Sequence, residues 1–172
     1  TQPGLPLNPS RIGSRTHDYK RNGTAALYAA FNTVSGKVIG KVTDKTNGKE
    51  FLSFLKLLNR RIGAGKELHI ILDNLSAHKT PAVREWLAAH PRIHLHFTPT
   101  SSSWLNAVEG WFAQLERRAL YRGVFTSVPE LKAELQRFIK THNAHTAKPF
   151  KWTKPAANII AAVGRAKNAL HN

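Results

Sequence analysis

Ten acidic residues are few enough in 172 to be weighed one by one. Asp73 closes a short, strongly apolar run, Leu68–Leu72 (LHIIL). A short run of that kind reads as a strand buried on both faces. A carboxylate at the carboxyl end of such a strand faces the crevice where open α/β sheets bind ligands. Its charge is costly there unless a cation offsets it, which makes Asp73 a candidate for holding a metal ion; the plainer role is a turn aspartate before a helix. Glu109 is the second candidate. On a helix, Trp104, Leu105, Val108, Trp111, Phe112 and Leu115 form one broad apolar face, and Glu109 stands at its edge. Glu116 lies on the same edge two turns later and competes with it; nearness to the polar loop Thr98–Ser103 favours Glu109 only modestly.

These residues need elements to position them. Residues 1–23 are rich in Pro and Gly and read as a loop or arm. Thr24–Asn32 and Lys37–Val42 read as an antiparallel hairpin turning at Ser35-Gly36. Gly48–Ile62 has the length and apolar face of a helix, ended by Gly63 and Gly65. After Leu68–Leu72, Thr80-Pro81 starts a helix running to about Ala89. Ile93–Phe97 is a further strand, Trp104–Leu120 a strong helix, and Ser127 with Glu130 a capping box for a helix to about His142. A last helix is expected after Pro155. The order predicts one mixed α/β domain over 1–172, with 143–172 a basic C-terminal extension.

Composition bounds the partners. Lys and Arg number 26 against 10 acids, a formal charge of +16. After Glu134 no acid occurs, while Arg137, Lys140, Lys148, Lys151, Lys154, Arg165 and Lys167 do. Such a surplus favours a polyanion, because each cation placed on a phosphate releases counterions. No cysteine is present, which excludes disulfides and thiolate metal sites. No apolar run nears the roughly 20 residues of a membrane helix. The chain starts at Thr1 and contains no Met, so it reads as a fragment.

Two stretches carry a family resemblance: IILDNLSAHKTPAV (Ile70–Val83) and LHFTPTSSSWLNAVEGWFAQLERR (Leu95–Arg118). They resemble the DDE transposases of the mariner-related bacterial insertion sequences. There a hydrophobic strand ends in Asp-Asn with a His shortly after, and a later "PxxSxxLNxxE" segment opens a helix. Here the second pattern falls on Pro99, Ser102, Leu105, Asn106 and Glu109, and thirty-five residues separate Asp73 from Glu109. THDYKRNGT (Thr16–Thr24) and SGKV (Ser35–Val38) are similar to the family as well.

The resemblance implies a ribonuclease-H-like, retroviral-integrase-like fold, a mixed sheet flanked by helices. It implies three carboxylates holding two divalent ions, Mg²⁺ or Mn²⁺, with Asp73 and Glu109 as two of the three. Two such ions, about 4 Å apart, serve the attacking and leaving oxygens of a phosphodiester. Water attack would nick DNA, and attack by the freed 3′-hydroxyl would join it to a target. The family's first aspartate lies on its first strand, expected before Thr1. Asp18, with no apolar strand around it, and Asp44, after the second hairpin strand, stand at the wrong places. The fragment alone is therefore expected to be inactive. Asn74, His78 and Asn106 are supporting candidates that could brace the acids or touch DNA, and Arg117 and Arg118 could meet phosphates. For His78 the alternative is a simple cap at the helix start. His69, His94 and His96 alternate along strands without a metal-like pairing and read as structural.

The expected partners are DNA, both element ends and target, and a second copy in a homodimer, with a bacterial cytoplasmic, nucleoid-associated location and no membrane. Two other readings stay open: a different nuclease on the same fold, and a DNA-binding relic without catalysis.

Overall fold

A computed structural model describes residues 22–98, 106–121, 123–152 and 160–161. The first strands, β1 (Ala26–Phe31) and β2 (Val38–Thr43), pair antiparallel with Ala26 opposite Thr43 and Phe31 opposite Val38. The turn is built by Asn32 and Gly36. Asn32 Oδ1 accepts from the amides of Val34 and Ser35, both at 2.9 Å, and the Gly36 amide donates to Asn32 O at 2.7 Å. Gly36 has φ +72°, and a Cβ there would collide with the Lys148 backbone, so conformation and space both require glycine.

Helix α1 (Gly48–Arg61) starts where Asn47 accepts from the Glu50 amide at 2.9 Å. It buries Phe51, Phe54, Leu55 and Leu58. Its far end is held by Arg92, which donates to the carbonyls of Asn59, Ile62, Gly63 and Lys66 at 2.7–3.2 Å. A cation at a helix C-terminus satisfies orphan carbonyls and complements the helix dipole. Strand β3 (Leu68–Leu72) and strand β4 (Ile93–Phe97) run parallel, with His69 opposite His94 and Leu72 opposite Phe97. Between them lie a 3₁₀ turn, Ser76–Lys79, and α2 (Pro81–Ala88), entered through Pro81. Thr80 precedes α2 without a side-chain cap bond.

Helix α3 (Val108–Leu115) widens into a π turn, Glu116–Leu120. Among the described residues the expected helix over Trp104–Leu120 is α-helical at Val108–Leu115 and π-helical at its end; residues 99–105 lie outside the described ones. Helix α4 (Val128–Thr141) opens on the Ser127–Glu130 box: Ser127 Oγ accepts from the Glu130 amide at 3.3 Å. The Glu130 carboxylate reaches Thr126, one residue before the cap, accepting from its amide at 2.8 Å and its hydroxyl at 2.9 Å. A π turn, His142–Thr146, follows.

Alternate residues of β1 face different cores. Leu27, Ala29 and Phe31 join Val38, Trp111, Leu115 and Leu135 beneath α3 and α4; Tyr28 joins Phe51, Leu55, Leu72 and Val83 beneath α1 and α2. This is a layered α/β arrangement. Two expectations change. The strands form two two-stranded ladders, and among the described residues no backbone ladder joins them into one mixed sheet. Side chains connect them, Tyr28 packing against Phe51 and Phe54. Strand β3 is covered on one face only: Leu72 is buried, while His69 and Ile71 on the other face are exposed.

Part of the basic C-terminal stretch is tied to the hairpin. Asn143 accepts from the Val38 amide and donates to the Val38 carbonyl, both at 2.7 Å. Buried His142 lies 2.9 Å from Gly36 O through Nε2, and the Phe150 amide donates to Thr33 O at 2.8 Å. The helix expected after Pro155 falls almost wholly outside the described residues; Ile160 and Ala161 are helical.

Candidate functional site

Asp73 stands at the carboxyl end of β3, half exposed, as its place after the apolar run requires. The 3₁₀ turn folds the chain back so that His78, five residues on, faces it. His78 Nδ1 lies 3.2 Å from Asp73 O and 3.3 Å from Asp73 Oδ1. Both oxygens only accept, so Nδ1 carries the proton. The imidazole is 8% exposed and packs on Phe51 with ring centroids 4.2 Å apart. It is anchored by α1, hydrogen-bonds the backbone carbonyl of Asp73 and lies close to one of its carboxylate oxygens.

Asn74 is exposed beside Asp73, and its Oδ1 accepts from Lys79 Nζ. The same ammonium sits 4.7 Å above the Phe97 ring at the end of β4. Lys79 is a residue that sequence reasoning missed: it places a cation within the Asp73–Asn74 group, and nothing in its spacing distinguishes it from a surface lysine. Asp73, Asn74, His78 and Lys79 therefore form one cluster at the carboxyl end of the β3–β4 pair.

Glu109 lies in the first turn of α3, exposed, where the helix dipole favours an acid. Asn106 precedes the helix, half buried, its carbonyl accepting from the Glu109 amide at 3.0 Å. Helix α3 packs chiefly on β1. Glu109 and Glu116 line one shallow groove together with Phe112, Leu120 and Tyr121, so the competition between the two acids persists in space. Arg117 and Arg118 are exposed on the π turn and form no ion pair among the described residues. Among the described residues no hydrogen bond or ion pair links Glu109 to the Asp73 cluster.

The three strand histidines also depart from expectation. His69 and His94 are register partners whose rings stack at 4.7 Å, and a ligand atom from each lies within 4.8 Å of one on Glu67. That group belongs to the exposed face of β3–β4 and not to the Asp73 cluster.

An α/β scaffold with oxygen-donor acids after a parallel strand and at the start of a later helix defines a class able to bind hard divalent cations. The sequence model described as DDE superfamily endonuclease matches residues 5–132, and the chain belongs to that family. It is also 26% identical over 115 residues to the insertion element IS630 uncharacterized 39 kDa protein of Shigella sonnei. That alignment covers 67% of this chain and 34% of the relative, so the chain spans about a third of the curated protein it matches. Among solved structures, a chain of the simian T-cell lymphotropic virus intasome in complex with PP2A regulatory subunit B56 gamma is similar over 89% of this chain and 63% of that one. The TM-score is 0.48 and the identity 17%. The resemblance to the DDE transposases of bacterial insertion sequences is borne out by the family match and the insertion-element relative. Among the described residues no helix is long and apolar enough to cross a membrane.

Proposed function

We propose that this chain contributes the catalytic region of a DNA transposase, with Asp73 and Glu109 as carboxylates for divalent ions, Mg²⁺ or Mn²⁺. The observation that carries the reading is the Asp73–His78 pair. A half-exposed carboxylate stands beside a buried imidazole that is tied to its own backbone carbonyl, and it stays open to solvent or a cation. The donor set fits the ion: Mg²⁺ prefers carboxylate oxygens and keeps waters, and both acids are open to water. Bound divalent ions would lower the pKa of an attacking water and stabilise a leaving phosphate-ester oxygen.

The chain's own residues have separable tasks in this reading. His78 fixes the orientation of Asp73. Asn74 and Lys79 present a donor and a cation to a phosphate beside it. Asn106 shapes the start of the helix that carries Glu109. Arg117 and Arg118, with the +16 surplus, meet DNA phosphates without reading sequence. Strand cleavage, strand transfer and a homodimeric assembly are proposals for the whole protein. The insertion-element relative favours a transposase over another nuclease of this family.

Mn²⁺ titration followed by amide line broadening tests the site directly. The expected result is that resonances of Asp73–Asn74 and of Asn106–Gly110 broaden together, and that Asp73→Asn and Glu109→Gln each remove the effect. Broadening at Glu116 with Glu109 untouched would reassign the helix carboxylate, and none at Asp73 would end the proposal.

A further inference from the structure

We propose that Glu67, His69 and His94 form a second metal site on the exposed face of the β3–β4 pair, selective for a zinc-type transition ion. The backbone dictates the placement. The parallel register sets His69 directly opposite His94. The two-residue strand period sends His69, Ile71, His94 and His96 to the face turned away from the Leu72 core. Histidines that served packing alone would be covered. Here His69 and His96 are exposed, and Ile71 between them is 51% exposed.

The ligand atoms are within reach of one ion. One ligand atom from each of Glu67, His69 and His94 lies within 4.8 Å of the other two. Glu67 Oε2 is 3.4 Å from His69 Nε2. Donors around a tetrahedral ion at about 2.0–2.1 Å sit roughly 3.4 Å apart. Sharing an ion requires the His69 and His94 rings, stacked with planes 16° apart, to turn on this open surface so that both nitrogens face it. The other nitrogen of His69 is already occupied, its Nδ1 lying 2.9 Å from His96 Nε2 with the rings stacked at 5.2 Å. A partner on the far nitrogen of a ligating histidine fixes its tautomer and ring orientation. His96 is that positioning residue.

Two imidazoles and one carboxylate, with a fourth position open to water, is a donor set suited to Zn²⁺ and its neighbours, not to Mg²⁺. The location separates it from Asp73. Glu67 and Asp73 are six residues apart at opposite ends of β3, about 20 Å along an extended strand. The proposal does not depend on the reading of Asp73 and Glu109. A bound ion would cross-link the residue before β3 to β4 and brace the amino end of this pair.

Zn²⁺ titration of tag-free protein by calorimetry and thermal unfolding tests this, with Mg²⁺ as the comparison. One equivalent of Zn²⁺ should bind and raise Tm by about 5–10 °C at a hundredfold excess over Kd. Binding should be lost in His69→Gln and in His94→Gln, weakened about 10–100-fold in His96→Gln, and retained in Asp73→Asn. In the wild-type protein the ring resonances of His69 and His94 should shift with the first equivalent, a readout that needs no variant to fold. Shifts confined to other histidines, an adventitious stoichiometry well above one, or loss of binding in Asp73→Asn would overturn the proposal.

Discussion

The role given to His78 makes a prediction whose parts can be separated. The imidazole does two things: its ring packs on Phe51 at 4.2 Å, and its Nδ1–H serves Asp73. His78→Phe keeps a ring and removes the donor. The lost bond is long, 3.2 Å to the Asp73 carbonyl, with the carboxylate 3.3 Å away, and Asp73 is half exposed, so water replaces much of it. The expected destabilisation is about 1 kcal/mol, the usual net worth of a hydrogen bond to a neutral carbonyl. That corresponds to a Tm lower by about 2–4 °C in a domain of this size. His78→Ala also deletes the ring and leaves a cavity beside Phe51, so its cost should be about 3 kcal/mol. Mn²⁺ affinity at the proposed Asp73 site should fall by about tenfold or more, and equally in both variants, because both lack the N–H. Thermal unfolding by circular dichroism reads the first effect and water-proton relaxation in Mn²⁺ the second. Wild-type Mn²⁺ affinity in His78→Phe would refute the claim that His78 orients Asp73. Equal stability losses in the two variants would refute the packing role.

Further perturbations test the supports of the site. Arg92→Ala frees the carbonyls at the end of α1 and should cost about 2 kcal/mol, with Arg92→Lys failing to restore it, because one ammonium cannot reproduce the planar fork that spans four carbonyls; urea unfolding measures both. Asn143→Ala removes two 2.7 Å bonds to Val38 and should cost about 1–3 kcal/mol, seen as faster amide exchange at Val38. The amide and hydroxyl that Thr126 donates to Glu130 hold its carboxyl below the usual carboxylate range. A carboxyl lowered on folding stabilises above its unfolded value, near 4.5, and that contribution is lost as pH falls through the lower folded value. Glu130→Gln should therefore flatten the acid limb of the stability curve below about pH 4.5, and an unchanged limb would show that the box carries no pH dependence.

Local order was legible because its causes are local. The hairpin follows from two short apolar runs and a glycine turn, and the structure closes it at Gly36 with φ +72°. Helices α1 and α4 follow from apolar periodicity and from caps a few residues away, Asn47 with Glu50 and Ser127 with Glu130. Asp73 at a strand end and Glu109 at a helix start were likewise fixed by neighbours within one or two turns.

Where the causes lie far apart in sequence, the tertiary structure decided. The run Ile70–Leu72 is apolar at every position, so it cannot reveal that one face of β3 stays open; that depends on which helices pack over it. His69 and His94 are twenty-five residues apart and meet only because the parallel register makes them partners. Spacing placed His78 near Asp73, yet only the 3₁₀ turn brings Nδ1 onto the Asp73 carbonyl beside its carboxylate and only Phe51 pins the ring. The binding of Val38 by Asn143 spans 105 residues. Glu109 and Glu116 are seven residues apart on one helical face; the sequence pattern favours Glu109, while the groove they share ranks neither above the other. Composition and periodicity determined the elements and the chemistry each end could hold. Side-chain packing between distant segments determined which of those groups share a site.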